Sequence, residues 1–115
     1  MEANREKLFD LTELRTIAAG DDRFFQEMIR LFIEQGEYAL QVIRELPGSQ
    51  DFAKVKFTLH KMKPSIMVLG VKQATEIIVQ VENLTLPGDG EEKCAPLLAN
   101  LERILKDVTD QLNIL

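Results

Sequence analysis

Apolar residues recur at three- and four-residue steps along most of the chain, the spacing that lines one face of an α-helix. Phe25, Met28, Phe32, Ala39, Val42 and Leu46 follow this step through one long stretch. Phe52, Val55, Leu59, Met62, Ile66 and Leu69 follow it through a second. Ala74, Ile77, Val81 and Leu84 trace a third, and Leu97, Leu98, Leu101, Ile104, Leu105, Val108 and Leu112 trace a fourth. The residues between these stretches predict where each helix starts and stops. Asp10 and Glu13 stand at capping-box-like spacing and open a short first helix running to Ala19, with Gly20 as its stop. Asp21 or Asp22 caps the second helix, and Pro47-Gly48 ends it. Gly36 interrupts that helix at a cost of about 1 kcal/mol relative to alanine, which makes it a candidate bend. Ser49 or Asp51 starts the third helix, and Gly70 is placed to close it as a left-handed cap. The fourth covers Gln73 to Leu84. Pro87-Gly88-Asp89-Gly90 is the clearest loop, and Pro96 falls in the first turn of the last helix, where its missing N–H costs little. The expected fold class is all-α: an antiparallel four-helix bundle, with the short additional N-terminal helix covering one open end of the core.

Composition narrows the setting. With 115 residues, 45% of them apolar, the chain suits one domain over 1–115 with a single core. No stretch approaches the roughly 18–20 continuous apolar residues of a membrane span. The N-terminal run Met1-Glu2-Ala3-Asn4-Arg5-Glu6-Lys7 is charged and leads into no signal-like apolar region, so a cytoplasmic protein without membrane insertion is expected. The lone Cys94 has no partner for an internal disulfide and reads as a small buried hydrophobe near a helix start. Lys and Arg total 14 against 19 Asp and Glu, a net charge of −5 that argues against nucleic acid as a main partner. Locally the balance reverses. Lys54, Lys56, Lys61 and Lys63 surround His60 in sequence and offer an anion-facing patch.

His60 is the one histidine in the chain. Winding residues 52–69 at about 100° per residue turns it about 130° away from the centre of the apolar stripe, towards solvent. Lys56, Phe57, Lys63, Pro64 and Met67 fall on the same side, so a titratable, nucleophilic ring stands among two lysines and a small apolar rim. Metal ligation lacks a second histidine, and the single cysteine is remote. A hydrolytic general base would need an orienting carboxylate and an oxyanion device, and neither is written near it. Nor does the chain carry a Gly-rich phosphate loop, a Gly-x-Ser-x-Gly elbow or a kinase motif set. A phosphocarrier needs less: an exposed neutral imidazole nitrogen for in-line attack, and positive charge for the phosphoryl oxygens. Imidazole side chains ordinarily titrate near pH 6.5 and so are mostly neutral at pH 7. Lys63, one turn on from His60, is the candidate for the charge.

The run His60-Lys61-Met62-Lys63-Pro64-Ser65, with Gly70 ten residues after the histidine, resembles the signature of histidine-containing phosphotransfer (HPt) domains. Their pattern is roughly His-x-x-Lys-Gly-Ser/Ala. Here His60, Lys63, Ser65 and Gly70 match, and Pro64 stands where glycine is usual. The segments 52–59 and 77–82 are also similar to helices of that family. The resemblance implies a carrier in a two-component phosphorelay. His60 would accept a phosphoryl group from a receiver-domain phospho-aspartate and pass it to another receiver aspartate, without being an enzyme in its own right. It implies no cofactor in this chain, since the Mg2+ belongs to the partner receiver. The implied partners are response-regulator receiver domains and a hybrid sensor histidine kinase, with this domain monomeric. Lys63 would stabilise phosphoryl charge, and Lys56, Phe57, Lys61, Pro64 and Met67 would form the docking surface. Ser65 matches the pattern but lies about 140° round the helix from His60, so packing or solvent contact competes with any role at the loaded ring. Against this reading stands a different class: a helical-bundle adaptor that binds partners without carrying phosphate.

Overall fold

The computed structural model describes residues 8–86 and 88–114. Five helices occur in order: α1 (Thr12–Ala18), α2 (Asp22–Ser49), α3 (Phe52–Val68), α4 (Lys72–Glu82) and α5 (Glu91–Leu112), and no strand occurs among the described residues. The charged run 1–7 and Pro87 of the predicted loop lie outside them. α2 packs on α3 and α5, and α4 packs on the same two helices, so the four long elements close into a ring around one core, while α1 packs on α2. The fold is therefore the expected all-α bundle with an extra short helix.

Each stripe read from the sequence turns inward. Phe52, Val55, Leu59, Met62, Ile66 and Leu69 are buried, as are Leu98, Leu101, Ile104, Leu105, Val108 and Leu112 of α5. Ile78 joins Ala74, Ile77 and Val81 in the core, widening the α4 stripe by one position, while Met28, Leu84 and Leu97 are partly buried at its edge. Cys94 is buried, and that burial raises its thiol pKa, consistent with a small hydrophobe rather than a reactive group.

Several boundaries differ from the expectation. Asp10 accepts from Thr12 N (2.9 Å) and sits too far ahead of α1 to complete a capping box with Glu13. Asp21 and Asp51 are the caps that form, accepting from Phe24 N and Lys54 N at 3.0 Å. α2 does not stop at Pro47-Gly48. It runs to Ser49 and ends on Gln50 in the left-handed region (φ 55°), with Gln50 N donating to Leu46 O at 2.7 Å. Proline at 47 removes only its own N–H, and the turn beyond it is held by that bond. α4 ends at Glu82, two residues short of the expected Leu84. α5 starts at Glu91, so Pro96 lies in its second turn rather than its first. Gly36 sits inside an uninterrupted helix, where a Cβ would stand 3.1 Å from Thr109 Cγ2: it marks a close α2–α5 approach.

The turn between α3 and α4 is the tightest junction. Gly70 has φ +66°, Gly70 N donates to Met67 O at 3.0 Å, and Val71 N donates to Ile66 O at 3.1 Å, which is the Schellman closure. Ile66 and Val71 are both fully buried, supplying its apolar contact. The chain before α1 crosses directly over this glycine. Asp10 N donates to Leu69 O at 2.9 Å, and a Cβ on Gly70 would lie 2.6 Å from Asp10 O and 2.8 Å from Asp10 N.

Gly70→Ala thus meets both a left-handed backbone, which costs a non-glycine residue about 1–2 kcal/mol, and a backbone collision. A loss of more than about 2 kcal/mol is expected, lowering the melting temperature by roughly 8 °C or more. Gly48→Ala, in the last turn of α2 with no atom within 4 Å of its Cβ, should be neutral or stabilising by up to about 1 kcal/mol. Leu59→Ala and Ile66→Ala should each cost about 2–5 kcal/mol. Circular dichroism melts of the four variants check all of these outcomes.

Candidate functional site

The α3–α4 turn fixes what stands opposite the histidine. His60 lies ten residues before Gly70 and Glu82 twelve residues after it. At about 1.5 Å rise per residue the two antiparallel arms are nearly equal in length, so the last residue of α4 arrives beside the middle of α3. Val81 is fully buried and aims the α4 stripe inward, leaving Glu82 on the rim facing α3.

The side chains of His60, Lys63 and Glu82 meet there. Glu82 Oε2 lies 2.7 Å from His60 Nδ1, and Glu82 Oε1 accepts from Lys63 Nζ at 2.7 Å. The Glu82 side chain is only 20% exposed, and hydrogen bonding from Lys63, then from His60, holds its carboxyl below the usual range despite partial burial. Glu82 is therefore an anion, which can only accept, so Nδ1 of His60 carries the proton and donates it. In a neutral ring the lone pair then resides on Nε2. The His60 side chain is 72% exposed on a helix whose opposite face is buried, so its ring is held on one edge and open on the other.

The remaining predicted residues are distributed around this trio. Phe57 and Met67 are 67% and 55% exposed, so neither packs into the core, and Pro64 is exposed as well. α3 runs through Pro64 without ending. Lys56 is half-buried and donates to Leu84 O at 3.0 Å, fastening the α4 end to α3. The four lysines do not form one patch. Lys54 and Lys61 border a groove against α2 with Tyr38, Phe57 and Glu34, while Lys56 and Lys63 face α4. Ser65 lies in a different groove, with Leu14, Ile17, Phe24 and Leu31, consistent with packing. Among the described residues no cluster of three or more His, Cys, Asp or Glu suited to a metal occurs, and no helix is long and apolar enough to cross a membrane.

Glu82 was not singled out from its own stripe, which shows only a polar residue after a buried valine. The signal that locates it is the nearly equal spacing of His60 and Glu82 from the Gly70 turn.

A helical bundle that displays one histidine, held at Nδ1 and open at Nε2, defines a class of protein built to present an imidazole to a partner. A family model described as Hpt domain matches residues 27–113, which cover most of α2 and all of α3, α4 and α5. The chain belongs to the Hpt domain family. Membership assigns it to phosphotransfer in two-component signalling, as a phosphocarrier rather than a true enzyme, working with receiver domains and kinases. Comparison with curated proteins and with solved structures returned no match.

The depressed Glu82 carboxyl makes the site's stability pH-dependent. A carboxyl whose folded pKa lies below its unfolded value contributes stability that is complete above the unfolded value and lost as pH falls through the folded one. Acid titration of unfolding free energy should therefore fall more steeply below about pH 5 in wild type than in Glu82→Gln. Parallel curves would mean that the His60–Glu82–Lys63 contacts contribute nothing to stability.

Proposed function

We propose that His60 is the phosphoryl-accepting residue of a phosphorelay. It takes the group from the phospho-aspartate of one receiver domain and passes it to the aspartate of another. The observation that carries this reading is the 2.7 Å contact between His60 Nδ1 and Glu82 Oε2 on a side chain that is 72% exposed, which leaves Nε2 as the nitrogen free to react. Such a ring needs no general base: Nε2 attacks phosphorus with a lone pair that is already free, in line with the departing aspartate oxygen. The acidic pocket and its Mg2+ belong to the receiver.

Lys63 is the charge that meets the transferred group. Its ammonium already lies one carboxylate away from the ring, and a dianionic phosphoryl on Nε2 would compete with Glu82 for it. Phe57, Met67 and Pro64 supply an apolar rim for docking around the histidine, with Lys61 on its α2 side and Lys56 bracing the α4 side. A receiver that presents a complementary apolar surface beside its acidic pocket would cover this rim while the phosphoryl group passes. The carrier works in the compartment where its receivers are found, the cytoplasm, and acts as a monomer.

The test is labelled transfer from a phosphorylated receiver domain, followed on both proteins. His60→Gln should take up no label while keeping wild-type helicity and melting temperature, because the exposed ring contributes little to folding. Lys63→Ala should keep wild-type helicity, lose the small stability that its pairing with Glu82 contributes, and transfer at least several-fold more slowly. Full labelling of His60→Gln would sink the phosphocarrier assignment in favour of a passive adaptor. Wild-type kinetics in Lys63→Ala would remove only the role given to that lysine.

A further inference from the structure

The residue opposite His60 is a carboxylate, and its charge has a consequence for the loaded state. When Nε2 attacks the acyl phosphate, a P–N bond forms, the P–O bond to aspartate breaks, and that electron pair leaves with the aspartate carboxylate. No proton moves. The ring keeps its Nδ1 proton, gains a positive charge, and becomes a phosphoimidazolium. That species has two fates. It can give up the phosphoryl group to an aspartate carboxylate or to water, the new P–O bond forming as the P–N electron pair goes back to Nε2, or it can release the Nδ1 proton to water and become a neutral phosphoimidazole. The neutral form is a much poorer leaving group, which is why phosphohistidine is labile in acid and stable in base.

Glu82 Oε2, 2.7 Å from Nδ1, faces the proton on which this choice turns. The charged groups around the ring are few. Glu82 comes from α4, and Lys63 and Lys56 come from α3 itself. Lys63 Nζ is spent on the second oxygen of Glu82, and Lys56 Nζ on the carbonyl of Leu84. An anion at Nδ1 stabilises a phosphoimidazolium more than a neutral ring, and a carboxamide in the same place would not. We infer that Glu82 is a positioning residue that keeps phosphorylated His60 in its protonated, transfer-ready form. The phosphoryl group then enters and leaves without proton exchange with solvent. The device shortens the lifetime of the loaded carrier in exchange for rapid hand-over, suiting a site that passes phosphate on rather than storing it.

This inference rests on the phosphocarrier reading, and its test does not require a receiver. Wild type and Glu82→Gln are loaded chemically with potassium phosphoramidate, and loss of phosphate is followed by 31P NMR from pH 5 to pH 9. At pH 8 the wild-type phosphohistidine should decay at least several-fold faster than that of Glu82→Gln. At pH 5, where solvent protonates both rings, the two rates should converge. Glu82→Asp should restore part of the difference. Because Glu82→Gln also frees Lys63, the comparison is repeated in a Lys63→Met background, where the pH-dependent gap should persist. Superimposable pH profiles, or a gap that vanishes with Lys63→Met, would overturn the inference. A merely structural role for Glu82 would change loading or melting temperature while leaving the profile's shape unmoved. If phosphoramidate loads His60 but a phosphorylated receiver does not, the relay reading fails and the comparison at Glu82 still stands or falls on its own result. Failure of phosphoramidate to load His60 at all would overturn the inference as well.

Discussion

The α3–α4 turn is the constraint on which the site depends. Gly70 must adopt a left-handed backbone to close α3, and it must lack a side chain because Asp10 crosses over it. Those two demands fix the residue at which the chain reverses. Once the reversal point is fixed, helical rise alone decides which residue of α4 stands beside which residue of α3. Displacing the turn by one residue would rotate α4 by about 100° relative to its partner, carrying Glu82 away from His60 and Val81 out of the core. The glycine ten residues beyond the histidine is therefore chemically silent and geometrically decisive.

The bundle gives that register its rigidity. Leu59, adjacent in sequence to His60, is buried, as are Met62 and Ile66 beyond it, so α3 cannot roll to change the ring's direction without exposing its stripe. On the opposite arm Ile78 and Val81 fix α4 in the same way. An exposed ring on a locked helix is a preorganised nucleophile, and the conformational cost of presenting it is met by core packing far from the chemistry. Glu82 completes the arrangement from α4, so the site is shared by two helices although the nucleophile and its lysine belong to one.

Charge at the site is balanced more closely than the lysine-rich sequence around His60 suggests. Lys63 and Glu82 neutralise one another, Lys56 is spent on a backbone carbonyl, and Lys54 turns to the α2 side. Before loading, the lysine nearest the phosphoryl-accepting edge is thus paired with a carboxylate rather than free to hold an anion. Positive charge becomes available when a phosphoryl dianion competes with Glu82 for Lys63. Such an arrangement favours a phosphoryl group arriving on a docked partner over free phosphate ions, since docking rather than long-range attraction brings it to Nε2.

Much of this was legible in the sequence because helical periodicity is a local property. The stripes of α2 to α5, the outward direction of His60, the exposure of Phe57 and Met67, and the left-handed cap at Gly70 all follow from spacings within one helix. Helix ends were less legible. Pro47 and Pro96 are tolerated inside helices because packing and neighbouring hydrogen bonds outweigh a single missing donor, a balance that residue type alone does not reveal. What only the tertiary structure decided was the company His60 keeps. The lysines at 54 and 63 look alike in the chain, yet one joins a groove against α2 and the other an ion pair across to α4. Glu82 is one polar residue among many until the turn at Gly70 folds it back onto α3. Sequence spacing within a helix fixes direction; the register between two helices fixes partners, and that register is set by the turn that joins them and the core that holds them.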